Sequence, residues 1–376
     1  MSEQRPPLAV YYEHPDWFRP LFAELDRRGT PYVRVDAARH RFDPGAREEP
    51  FALLFNRMSA SAYLRGHGNA VFYTRHYLRH LERRGVRVVN GSRAFDYETS
   101  KALQLSLFAS LGFEFPRTRV VNSLGEVREA ARGLAFPLVV KPNVGGRGAG
   151  IVRFETADDL EYALQAGLLE PGIDSTALVQ EYIRAGGGHI VRVETLAGRF
   201  LYAMKVTTSG ENFNLCPAEI CDVERAQEER AGVSAVGEVC LADAPQAGLK
   251  VERYEPPAEI VGQVERIAAE AGLDIGGVEY LIDERDGRPR FYDINALSNF
   301  VADAVRVVGF DPHARLVDYL EEEVRRCVTD TGFRSSAVGC ATSRTREWRR
   351  RGIMCDGLRS EVKRSGSTSR SSQSSC

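Results

Sequence analysis

The chain has 376 residues, 43% of them hydrophobic and 27% charged, a balance that excludes fibrous and wholly disordered classes and leaves room for two or three domains. Its formal net charge of −2 joins two unlike parts: residues 332–376 hold ten Lys/Arg against three Asp/Glu, or +7, which leaves −9 on the first 331. No apolar run approaches the roughly 18 residues that a membrane-spanning helix needs.

In chain order, Leu8–Tyr12 is expected as a strand, Asp16–Arg28 as a helix closing at Gly29, and Tyr32–Val35 and Phe51–Phe55 as strands. A helix over Tyr73–Arg84 and a strand over Val86–Val89 follow. Strands separated by helices predict a parallel α/β sheet, in which ligands lie beyond the carboxyl ends of the strands. Two loops stand there, Glu13-His14-Pro15 and Asn56-Arg57-Met58-Ser59, and turn or capping roles suit them as well as substrate contact.

A helix over Ser100–Leu111 is stopped by Gly112 and Pro116. Thr118–Val121, Leu138–Lys141, Ile151–Phe154 and Ala177–Ile183 read as strands, with Leu124–Arg132 and Ala157–Gln165 helical. A hairpin is expected from Val191–Thr195 and Phe200–Val206, then a helix over Pro257–Ala271. Strands Gly277–Ile282 and Arg290–Ile294 flank the turn 284–287, and a last helix runs from His313 to about Cys327.

Between Lys141 and Ile151 lies Pro-Asn-Val-Gly-Gly-Arg-Gly-Ala-Gly. No Gly-Lys-Ser/Thr follows, so it is not a Walker loop, and a β-prone stretch rather than a helix comes next, so it is not a dinucleotide fingerprint. The glycines suit a hairpin tip whose amides cradle phosphate, or a plain turn. Asp293 and Asn295 share a strand face, and Glu279 lies on the preceding strand; together they offer oxygen ligands for Mg²⁺, or form an ordinary solvent-facing strand end. The odd number of cysteines, none before Cys216, is a poor disulfide framework, and Cys216 and Cys221 lack partners at zinc spacing. The N-terminal residues form no charged-then-apolar leader, and the expected location is the cytoplasm.

In this order the pieces resemble the ATP-grasp superfamily, specifically its RimK-like and glutathione-synthetase-like carboxylate–amine ligases. Glu98-Thr99-Ser100-Lys101 resembles the first ATP-binding lysine; Leu138-Val139-Val140-Lys141-Pro142 with Gly145, Gly146 and Gly148 resembles the second lysine and the phosphate-covering loop. Gln180-Glu181-Tyr182-Ile183 is similar to the strand that meets adenine, Arg192 to the hairpin arginine, and Lys205 and Asn214-Leu215 to the basic and Asn-Leu positions. Glu279, Asp293 and Asn295 match the metal ligands. His189 stands near the place of an aspartate that contacts ribose, and Ala296-Leu297-Ser298-Asn299-Phe300 replaces the usual Pro-Gly, so the acceptor loop differs.

The resemblance implies an α/β protein with the ATP-grasp fold. Residues 1–91 would form a parallel α/β pre-ATP-grasp domain, 92–328 an ATP-grasp domain of two lobes around the nucleotide, and 329–376 a disordered basic Ser/Arg-rich tail. It implies ATP and Mg²⁺, or Mn²⁺ in its place, and an ADP-forming ligase that makes an amide through an acylphosphate, with Arg192, Lys205 and Asn214 catalytic. The substrates would be small-molecule or peptide carboxylates and amines, and a homo-oligomer is compatible with it. Neither membrane nor nucleic acid is expected as a partner. The rival classes are a phosphotransferase on the same scaffold and a non-catalytic ATP-binding regulator.

Overall fold

The computed structural model describes residues 7–14, 16–46, 49–146, 148–207, 234–235 and 250–332. The expectations for Asn214, for Cys216 and Cys221, and for the tail beyond 332 lie outside these residues.

The chain opens with β1 (Leu8–Tyr12), α1 (Arg19–Arg28), β2 (Tyr32–Asp36), β3 (Leu53–Arg57), α2 (Gly68–Arg83) and β4 (Arg87–Val89). The four strands form a parallel sheet in the order β2-β1-β3-β4. Strands β1 and β3 are buried along nearly their whole length because both faces are covered, as parallel sheets require, and only Asn56 and Arg57 at the end of β3 interrupt their apolar run. Helix α1 begins three residues later than its pattern suggests, with Pro20 in its first turn, where the missing N–H costs nothing.

Next come α3 (Ser92–Glu98) and α4 (Lys101–Ser110), separated by a break at Thr99 and Ser100. Ser100 caps α4, its hydroxyl accepting from Leu103 N–H at 3.2 Å. Then follow β5 (Thr118–Val121), α5 (Val127–Ala131), β6 (Leu138–Pro142), β7 (Val152–Phe154), α6 (Ala157–Ala166) and β8 (Ala177–Glu181). Strands β6 and β7 pair antiparallel, so the glycine-rich segment connects adjacent strands. With the short β11 (Ser234–Ala235) they make a five-stranded antiparallel sheet, β11-β7-β6-β8-β5.

A second five-stranded sheet holds the rest: β9 (Ala185–Leu196), β10 (Arg199–Thr207), β12 (Val251–Tyr254), β13 (Ile275–Asp283) and β14 (Pro289–Asn295), in the order β12-β10-β9-β13-β14. Helix α7 (Ala258–Ala271) covers one face, where Val264, Ile267 and Ala268 pack on Val191, Val193 and Val278. On the other face Ile190, Met204 and Val206 share a core with Leu8, Val10 and Phe55 of the parallel sheet. Helices α8 (Ala304–Val308) and α9 (Pro312–Gly332) close the chain, Leu316, Val317 and Leu320 entering that same core. No helix among the described residues is long and apolar enough to cross a membrane.

Candidate active site

A cavity lies where the two antiparallel sheets meet the loops of the parallel sheet. One wall is the face of the second sheet that carries Arg192. In register across three strands, Arg192 of β9 pairs with Glu279 of β13, which pairs with Asp293 of β14. Paired residues of neighbouring strands project to one face, so three charged side chains form a row. All are buried. Such burial is tolerable only with partners. Arg192 donates through Nε to Glu194 Oε1 at 2.6 Å, through Nη1 to Glu279 Oε1 at 3.2 Å, and through Nη2 to Ser298 Oγ at 3.0 Å. Asn295 Nδ2 donates to Glu279 Oε1 at 2.9 Å, and Lys101 Nζ to Asp293 Oδ1 at 2.7 Å.

The opposite wall is the first antiparallel sheet. Lys141, next to the last residue of β6, lines the cavity together with Gly145 and Gly146 and with Gln180, Glu181, Tyr182 and Ile183. The Gln180 amide is held by Thr118, and Glu181 Oε1 accepts from Ala135 N–H at 2.9 Å and from Arg117 at 3.1 Å. Asn143, which motif reading passed over, ties the two lysine-bearing elements together. Its carbonyl accepts from Lys101 N–H, its Oδ1 from Ala102 N–H and Ser100 Oγ, and its Nδ2 donates to Asp174. At Gly146 the backbone approaches Ser61 closely: a Cβ there would stand 3.0 Å from Ser61 Cβ.

Three expected residues take other places. Lys205 pairs with Val191, whose side chain is on the α7 face, so strand alternation turns it away from Arg192; its ammonium lies over the Tyr254 ring at 4.2 Å. The site-facing residues of β10 are instead Met204 and Val206, in the apolar core. His189 does not line the cavity: its neighbour Ile190 does, and the His189 ring meets the Gly187 carbonyl at 3.2 Å. Gly148 is also absent from the wall and serves the turn, with φ +70.

The remaining side is built by residues before Lys101: Trp17, Ser59, Ser61 and Glu98, facing Leu297 and Asn299. Burial pushes the Glu98 carboxyl up to about 7, helped by nearby Asp293 and opposed by the Leu297 N–H it accepts at 2.9 Å. Arg57, at the end of β3, is buried, and its Nη2 donates to the Ser298 carbonyl and to Asn299 Oδ1. Burial pulls its guanidinium down to about 10 against the pull of Glu98 and Glu194.

A family model described as a RimK-like ATP-grasp domain matches residues 98–220. Over that stretch the chain is similar to RimK-like ATP-grasp domains. A probable alpha-L-glutamate ligase of Teredinibacter turnerae is 29% identical over 228 residues, spanning 58% of this chain and 74% of that one. The structure of the ATP-grasp ligase PsnB with its minimal precursor superposes with a TM-score of 0.58 at 19% identity, over 85% of this chain and 99% of that one. D-alanine–D-alanine ligase from Bacillus anthracis does so with a TM-score of 0.56 at 17% identity, over 86% and 99%. The fold of this chain is therefore that of ATP-grasp ligases.

The residues fit the nucleotide and metal of that fold. Among the described residues no group of three or more His, Cys, Asp and Glu is gathered for a metal. The ATP-grasp site offers two carboxylates and an amide, a set that suits Mg²⁺, which takes few protein ligands and keeps several waters. Because Asn295 turns Nδ2 to Glu279, its Oδ1 is the atom left for a cation.

Proposed function

We propose that the chain is an ATP-dependent carboxylate–amine ligase, ADP-forming and C–N bond-forming. The observation that carries this reading is the buried row Arg192–Glu279–Asp293, joined by Asn295 and Lys101 and faced across one cavity by Lys141 and the glycine segment. Lys101 and Lys141 would neutralise the phosphates of ATP, while Gln180–Ile183 would hold the adenine. Glu279, Asp293 and Asn295 would hold Mg²⁺, with Mn²⁺ as an alternative ion; the bound ion neutralises charge on the phosphates. A substrate carboxylate oxygen attacks the γ-phosphorus and the bond to the β,γ-bridging oxygen breaks, giving an acylphosphate and ADP. The amine nitrogen then attacks the acyl carbon, phosphate leaves, and the nitrogen gives up a proton.

Arg192 is the one basic residue of the second sheet on the reacting face among the described residues that line the cavity. It is the group we assign to the charge that develops on the transferred phosphoryl. Exclusion of water by the glycine segment would protect the acylphosphate. The substrates are small-molecule or peptide acids and amines, the reaction cytoplasmic, and the working divisions 1–91 and 92–328. Hydroxylamine tests the reading: a hydroxamate formed together with ADP supports it, and ADP without hydroxamate for every acid tried contradicts it.

A further inference from the structure

One corner of the cavity is lined by residues to which the ligase reading assigns neither nucleotide nor metal. Trp17, Ser59 and Ser61 bound it on one side, Leu297 and Asn299 on the other. Its two serines satisfy each other, with hydroxyls 2.8 Å apart and Ser61 N–H donating to Ser59 Oγ at 3.1 Å.

Asn299 differs, because its orientation is fixed from behind. Arg57 Nη2 lies 3.1 Å from Asn299 Oδ1, and a guanidinium has only donors, so oxygen must be the amide atom turned toward it. The Nδ2 group therefore points the other way. It makes no hydrogen bond among the described residues, although the residue lines the cavity. Arg57 cannot readily swing aside: it is 2% exposed, holds the Ser298 carbonyl with the same nitrogen, and lies over the rings of Phe18 and Phe55 at 5.2 and 5.1 Å. The loop behind Asn299 is pinned as well, by Arg192 on Ser298 Oγ and by Glu98 on Leu297 N–H.

We propose that Asn299, oriented by Arg57, is a specificity-determining residue whose Nδ2 donates to a carbonyl or carboxylate oxygen that one substrate carries in addition to its reacting group. The proposal rests on the ligase reading of the same cavity. Asn299 binds substrate; Arg57 is a positioning residue that acts through it. A substrate lacking that oxygen leaves the donor unpaired in a closed site, which costs about tenfold or more in affinity.

The probes are the twenty L-amino acids, singly and in pairs, with Mg-ATP and ADP release as the signal. The amine partner of an active pair is then compared as the free amino acid, as its primary amide, and as the amine lacking the carboxyl group. The expected result is an oxygen-bearing probe favoured about tenfold in kcat/KM, with Asn299→Ala and Asn299→Asp abolishing that preference while KM for ATP changes by less than about twofold. The carboxyl group and the carbonyl amide arms separate the two sources of the oxygen. Arg57→Met should reproduce Asn299→Ala, and the double variant should be no worse than either single one. An unchanged preference in Asn299→Ala and Asn299→Asp, both folded by circular dichroism, overturns the proposal even if Arg57→Met fails to fold. A wild-type protein that releases ADP with these probes but forms no hydroxamate contradicts the ligase reading itself and the proposal with it.

Discussion

The guanidinium of Arg192 occupies the space that a side chain at residue 277 would fill. A Cβ on Gly277 would lie 2.6 Å from Arg192 Nε and 3.0 Å from its Cζ. Gly277 is paired with Glu194 on one side and with Asn295 on the other, so the arginine lies across the strand at the point where the metal-type ligands begin. Glycine is required here for close approach, not for a turn. Gly277→Ala should push Arg192 off Glu279 and Ser298 and lower kcat about a hundredfold, the loss typical of one transition-state donor. Steady-state kinetics beside a denaturant midpoint would separate this from simple destabilisation; an active Gly277→Ala enzyme would remove Arg192 from the chemistry.

Arg192 and Lys205 sit one residue apart in register yet on opposite faces of their sheet. Arg192→Lys is expected to cost about a hundredfold or more in kcat, since a single ammonium cannot hold Glu194, Glu279 and Ser298 together. Lys205→Met should leave kcat within about twofold, losing only its contact with Tyr254. Equal losses in both variants would contradict the placement of Lys205.

Those two residues also show what could be read from the sequence and what could not. The parallel sheet, the hairpin that follows Lys141 and the shared face of Glu279, Asp293 and Asn295 follow from local pattern, because period-two alternation and a short turn fix which residues share a face. Lys205 was misplaced because a basic residue in a strand signals charge without saying which face it occupies; the β-bulge between Phe200 and Tyr202 further shifts the count. Asn143 has no signature of its own, the motif that holds Glu98 points to Lys101, and the loop that holds Arg57 reads equally as a turn. Their importance comes from contacts across 31 to 242 residues of chain, as in Asn143 with Asp174 and Arg57 with Asn299, and such contacts leave no local periodicity. Helix α3 was hidden by its seven-residue length, too short for an amphipathic stripe to declare itself.

Asp293 accepts from Lys101 and faces Glu279 in register. Asp293→Asn keeps the shape but removes the charge that would hold a cation. ADP formation should fall by at least about a hundredfold. Titration of Mn²⁺ by paramagnetic resonance in the presence of ADP should show weakened binding. Full turnover in Asp293→Asn would contradict the metal assignment.

Glu98 links pH to stability. Its carboxyl, raised by burial from an ordinary value of 4.5 to about 7 in the fold, holds its proton more tightly folded than unfolded. That contribution is fully present below about 4.5 and is lost as pH rises through about 7, on the order of 3 kcal/mol in all. Urea midpoints measured at pH 5 and pH 8 should therefore fall with pH more in the wild type than in Glu98→Gln. Identical pH dependence in the two proteins would contradict a neutral Glu98.

In the proposed reaction a substrate carboxylate is phosphorylated before the amine attacks. Its most direct test is a reaction run with the acid labelled by oxygen-18 in its carboxyl group, with the released phosphate analysed by mass spectrometry. Each released phosphate should carry one labelled oxygen. Phosphate that leaves without label, while amide forms at the normal rate, would contradict it.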